Sequence, residues 1–194
     1  MTGAKRVDFP SLANQFLIAM PELQDPNFHQ TVTLICQHDE NGALGIVINR
    51  PTESLVLGDI LSQLEITASE QSAQLETAVY VGGPVHTEVG LVLHEDRGTW
   101  DSTIPVGHQM GLTSSRDILE SIAKGTGPTR ALLSLGYAGW GASQLESEIH
   151  QNSWLTHEAD PELIFSTPVK SRWIKALGLI GVDPTRLASG AGHA

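Results

Sequence analysis

Apolar residues along this chain follow two rhythms, unbroken runs of strand length and positions spaced three and four apart. The first run, Phe16-Leu-Ile-Ala-Met20, reads as an opening strand that stops at Pro21. Two longer runs, Gln30–Cys36 and Ala43–Ile48, flank a polar stretch ending in Asn41-Gly42, which predicts an antiparallel hairpin closed by a type I′ turn. Leu57, Ile60, Leu61 and Leu64 then recur at helical spacing, and the polar Thr67–Thr77 stretch reads as a linker. Val79–Pro84 reads as a strand entering a glycine turn, followed by a strand at Gly90–Leu93 whose expected neighbour is Thr99–Pro105. Ser114-Ser-Arg-Asp117 precedes Ile118, Leu119 and Ile122 at capping-box spacing, with Gly125 as the stop, and so predicts a helix. Arg130–Leu135 is a further apolar strand. Thr167-Pro168 opens a last helix carrying Val169, Trp173 and Leu177, with Gly178 after it. Hairpins early and alternating strands and helices later predict an α+β or mixed α/β fold, a central mixed, partly antiparallel sheet flanked by helices.

Composition narrows the picture. A chain of 194 residues, 40% hydrophobic and 17% charged, supports one folded domain, placed here at residues 14–180, with 1–13 as a flexible N-terminus and 181–194 as a loose tail. No apolar run reaches the roughly 18 residues that span a bilayer. Lys5 and Arg6 precede an apolar stretch shorter than that of a signal peptide, so a cytoplasmic location is expected, without membrane insertion. The one cysteine, Cys36, sits in an apolar run and reads as a buried structural thiol.

The net charge of −11 is unevenly spread: residues 1–97 hold 4 Lys and Arg against 13 Asp and Glu. An acidic field opposes approach to phosphate backbones, which disfavours direct nucleic-acid binding. The basic cluster Lys170, Arg172 and Lys175 falls on a predicted helix and reads as its solvated face.

The densest candidate chemistry is Leu135–Leu155. Its glycines, Gly136, Gly139 and Gly141, reverse the order of the dinucleotide fingerprint, and neither Ser134 nor Ser143 sits in a G-x-S-x-G elbow. Ser143-Gln-Leu-Glu146 instead matches a capping box, with the glycines turning the strand into the helix. The histidines show no metal-ligand spacing, and Asp39-Glu-Asn41 reaches its glycine too early for a calcium loop. No metal and no cofactor is expected. Asn49-Arg50-Pro51 ends an apolar strand and aims a guanidinium at a carboxylate or phosphate.

Several segments together resemble the AlgH/YqgE family of bacterial proteins: Phe16-Leu-Ile-Ala-Met-Pro21, Asp25-Pro-Asn-Phe28, Gly42–Pro51, Gly82-Gly-Pro-Val85, Leu135-Gly-Tyr-Ala-Gly-Trp140, Gln144-Leu-Glu146, and Asn152 with Trp154-Leu155. The resemblance runs in order from Phe16 to Gly178 and departs at Ser143, where many relatives carry glycine. It implies a mixed α/β fold, no established activity or cofactor, and a regulator label that does not require DNA contact. The expected function is binding of a small anionic ligand or a protein partner, at a site built from Asn49, Arg50, Gly82, Gly83, Trp140 and Gln144. The alternative is a hydrolase or transferase with His94 or Glu146 as general base. A direct DNA-binding transcriptional regulator is the third reading.

Overall fold

Apolar runs that the sequence does not alternate with polar residues belong to strands covered on both faces. Phe16 and Ile18 of the first strand enter one apolar cluster while Leu17 and Ala19 enter another, and all four are wholly buried. The computed structural model describes residues 10–69, 72, 74–95, 98 and 100–183. Expectations for the first nine residues, for 184–194 and for Glu70, Gln71, Ala73, Asp96, Arg97 and Thr99 fall outside them.

One ten-stranded sheet organises these residues. Its strands are β1 (Gln15–Ala19), β2 (Val32–Asp39), β3 (Gly42–Val47), β4 (Pro51–Val56), β5 (Ala78–Val81), β6 (Val85–Glu95), β7 (Thr103–Val106), β8 (Met110–Thr113), β9 (Ala131–Gly141) and β10 (Trp154–Glu158). They run in the order β10-β1-β2-β3-β9-β6-β8-β7, with β4 on β5 and β5 beside β9. Every described pairing is antiparallel except β5 with β9. The sheet curls until β7 touches β2. Inside the curl, α4 (Pro161–Phe165) and α5 (Arg172–Leu179) add Leu163, Ile164, Trp173 and Leu177 to the largest cluster. Other faces are covered by α1 (Leu57–Gln63) and α2 (Arg116–Ala123), which meet over Val79, Val92 and Leu133, and by α3 (Gln144–His150) over Trp140 and Trp154. Each large apolar side chain buried this way contributes about 1.5–3 kcal/mol. No helix among the described residues is long and apolar enough to cross a membrane.

Local chemistry redirects several of the expected elements. The β2–β3 hairpin forms, but its two-residue loop is Glu40-Asn41; Asn41 does not take a positive φ, and its N–H donates to Asp39 Oδ1 at 2.7 Å. A bulge at Cys36 lets both Ile35 and Cys36 be buried, and burial pushes the Cys36 thiol pKa up. The described residues of the expected linker are tied down: Ser72 donates to the Ile122 carbonyl at 3.0 Å and Gln74 to that of Pro128 at 2.9 Å. The strand at 103–106 pairs with β8, an unanticipated strand that separates it from β6. The last helix starts as a 3-10 turn at Val169–Ser171, and Gly178 lies inside α5.

Two corrections bear on function. The glycines at 136, 139 and 141 do not turn the chain into α3; β9 runs through all three, and Ser143 makes the turn in the left-handed conformation with φ of 60°. Ser143 makes no side-chain cap hydrogen bond, so the capping box does not form. Arg172 is no solvated cation either. It is 5% exposed, donates to the carbonyls of Thr167 and Ile48, and lies 5.5 Å from the centre of the Tyr80 ring.

Candidate functional site

The site grows from a helix held by its own polar side chains. Leu145, wholly buried in the cluster that also takes in Ile149, anchors α3 to the sheet. Gln144 and Glu148 fall one turn apart, and Gln144 Nε2 donates to Glu148 Oε1 at 3.0 Å while its Oε1 accepts the Gly141 N–H at 3.0 Å. The other Glu148 oxygen accepts two indole N–H groups, Trp140 Nε1 from β9 and Trp154 Nε1 from β10, each at 2.9 Å. Three neutral donors fix the position of this carboxylate.

Opposite this helix lies the segment between β1 and β2. Asp25 Oδ1 accepts the Asn27 N–H at 2.8 Å, and the Asp25 carbonyl accepts those of Phe28 and His29, a tight turn that projects Phe28 toward the tryptophans. Its ring centroid lies 5.4 Å from that of Trp154 and 6.1 Å from that of Trp140. Between the segment and α3 opens a cleft of about 330 Å³ whose walls include Asp25, Phe28, Trp140, Gln144, Glu148 and Trp154.

Asn49 and Arg50 brace the segment from behind. Asn49 accepts the Val32 N–H at 2.9 Å and donates to the Gln30 carbonyl at 2.9 Å. Arg50 donates to the carbonyls of Pro26 at 2.7 Å and His29 at 3.0 Å. Burial lowers the pKa of its guanidinium, and the nearby charge of Asp25 opposes that shift. Gly82 and Gly83 are buried where β5 ends against β9. The Gly82 N–H donates to the Leu135 carbonyl at 2.9 Å and its carbonyl accepts the Val47 N–H at 2.8 Å. Thus Trp140 and Gln144 line the cleft, Asn49 and Arg50 position one of its walls, Gly82 links β3 to β9, and Gly83 packs closely on the β9 backbone at Tyr137 and Ala138.

Sequence reasoning passed over Asp25, Phe28, Glu148 and Trp154 as site residues. The first two and Trp154 lie in segments that carry the family resemblance; Glu148 announces itself only through its spacing from Gln144.

The general-base candidates lie elsewhere. His94 is wholly buried, its Nε2 2.8 Å from Thr113 Oγ1 and its ring edge-on to Trp100. His38 Nδ1 accepts the Leu12 N–H at 2.9 Å, which leaves the proton on Nε2 to be donated to Glu146 at 3.0 Å, tying α3 to β2. Among the described residues no three His, Cys, Asp or Glu side chains are grouped to hold a metal ion. A second groove of about 510 Å³, between α1 and α2, is floored by apolar residues such as Ile60, Leu119 and Leu133.

The comparisons with known proteins follow this architecture along its length. Residues 16–185 match the AlgH-like family. UPF0301 proteins of Xanthomonas campestris pv. campestris are 54% identical over 183 residues, 94% of this chain and 96% of theirs, and that of Xanthomonas axonopodis pv. citri is 53% identical over the same shares. The chain therefore belongs to the AlgH-like family. Its structure is similar to the solution structure of the AlgH protein from Pseudomonas aeruginosa, with 43% identity, full coverage of both chains and a TM-score of 0.76. It shares its fold with a Corynebacterium diphtheriae protein at 18% identity, 87% coverage of each and a TM-score of 0.69.

Proposed function

We propose that this protein acts by binding, as a regulatory protein of the cytoplasm, and that its ligand enters the cleft between the Asp25–Phe28 turn and α3. One observation carries the reading: aromatic walls and a fixed carboxylate converge on a single concavity, with each polar group held in place before any ligand arrives. Pre-positioned groups of this kind reduce the ordering cost of recognition. Chemistry is less well served. A general base needs a nucleophile or water within about 3 Å, whereas His94 is buried on Thr113 and Glu146 accepts from His38. The cation required by an anionic ligand, Arg50, spends two donors on the carbonyls of Pro26 and His29.

Thermal-shift screening of the purified protein against a metabolite library tests the reading. A ligand at 100 times its dissociation constant adds about 2.7 kcal/mol of stability. Its effect should shrink in Gln144→Ala, because Gln144 touches the cleft and holds Glu148. A hit insensitive to Gln144→Ala and Asp25→Asn would move the site elsewhere.

A further inference from the structure

We propose that the cleft recognises an organic cation, an ammonium or guanidinium group on a short apolar stem. The inference rests on the binding reading above and names the ligand's class.

Three features of the cleft select positive charge. Glu148 is oriented by two indoles and an amide, all neutral, and among the described residues it takes part in no ion pair. Its Oε1 accepts only the Gln144 amide among these bonds, so this oxygen has room for a further donor. A half-buried carboxylate without a counter-charge favours a cation brought to it, since opposite charges attract more strongly where water is partly displaced. Second, the rings of Phe28, Trp140 and Trp154 form the walls, and aromatic rings attract cations through their quadrupole while accepting an apolar stem. Third, Asp25, whose charge also faces Arg50, stands in the same walls, and the net charge of −11 draws cations toward the surface from solution. An anion meets the opposite of each. The volume of about 330 Å³ suits a small molecule or one basic side chain.

The indole N–H groups of Trp140 and Trp154 touch Glu148 directly, so their signals in a nitrogen–proton correlation spectrum report on the site. The full chain is titrated with butylammonium and butylguanidinium, with neutral butanol and anionic butyrate as isosteric controls, and with a blocked Gly-Arg-Gly peptide. The expected result is a saturable shift of both indole signals with the cations and none with butanol or butyrate. A shift with the peptide alone still meets the proposal and identifies a partner's basic side chain as the source. Glu148→Gln should weaken cation binding at least tenfold. Asp25→Asn, an exposed change that leaves the α3 contacts intact, should weaken it severalfold, which keeps the test open should Glu148→Gln fold poorly. A shift with butyrate or butanol but not with the cations would overturn the cationic class and leave the binding site standing. Indole signals unmoved by every probe would overturn the proposal, and library ligands that bind without moving them would overturn the site itself.

Discussion

Trp140 and Trp154 deliver their indole N–H groups to the same oxygen of Glu148, each at 2.9 Å. One tryptophan lies one residue before the end of β9 and the other begins β10, so a single side chain of the seven-residue helix between them is tied to the strands on both sides of it. A helix this short holds its shape through tertiary contacts. Glu148→Gln removes the charge that strengthens all three bonds and should cost about 1–3 kcal/mol. Urea unfolding checks this through a lowered midpoint at unchanged slope. A midpoint equal to wild type would mean that Leu145 packing alone fixes the helix.

Arg50 is a brace, and that has a local signature. Arg50→Met keeps the stem and removes the donors that hold the Pro26 and His29 carbonyls. Amide exchange at Asn27–Thr31 should accelerate at least tenfold, about 1.4 kcal/mol of local stability, with β9 amides unchanged. Arg50→Lys should recover only part, because an ammonium lacks the planar fork that spans two carbonyls. Unchanged exchange in Arg50→Met would release Arg50 for a role toward an anion.

How much of this was legible in the sequence depends on the range of the interaction. Strand runs such as Phe16–Met20 and the β2–β3 pair declared themselves because their apolar residues are contiguous. The course of β9 did not, since a glycine within a strand and a glycine in a turn look alike until the crossing chain is known. Arg172 read as solvated because its buried partners, the carbonyls of Ile48 and Thr167, are backbone groups that leave no mark on side-chain pattern. The cleft was half legible: Trp140 and Gln144 stood out, whereas Glu148 gains its role from Trp154, a partner on the next strand.

The glycines of the strand crossing can be told apart by substitution. A Cβ on Gly82 would lie 2.3 Å from the Gly136 carbonyl oxygen, a backbone atom held by the sheet. Gly139, in the neighbouring stretch of β9, would meet nothing closer than Tyr137 Cε2 at 3.6 Å and has an ordinary φ. Gly82→Ala should therefore cost about 3 kcal/mol or more through overpacking, while Gly139→Ala stays within about 1 kcal/mol of wild type. Equal effects on the thermal midpoint would contradict the register described for β5 and β9.

Ser143 holds a φ of 60° with no cap hydrogen bond to compensate it. Relief of the left-handed strain exceeds the added unfolded-state entropy of glycine, so Ser143→Gly should gain about 0.5 kcal/mol. A true N-cap serine would instead lose a few tenths. The sign of the change in the urea midpoint decides between them.

Asp117, in the first turn of α2, gives the fold a defined response to acid. Burial pushes its carboxyl pKa up, but hydrogen bonds from Ser115 and from the backbone N–H groups of Asp101 and Ile118 outweigh that and hold it below its ordinary value of 3.8. A carboxyl with a lowered folded pKa favours the folded state above the unfolded value, and that contribution disappears as pH falls through the folded one. Wild type should therefore be more stable than Asp117→Asn from neutral pH down to about 4, with the difference closing at lower pH. Asparagine keeps one acceptor oxygen and so isolates the charge-dependent part. Urea midpoints of the two proteins across pH 2.5–7 give the comparison. A difference that stayed constant through the acid range would assign the effect to geometry at the α2 N-terminus, and one that grew on acidification would require the folded pKa of Asp117 to be raised.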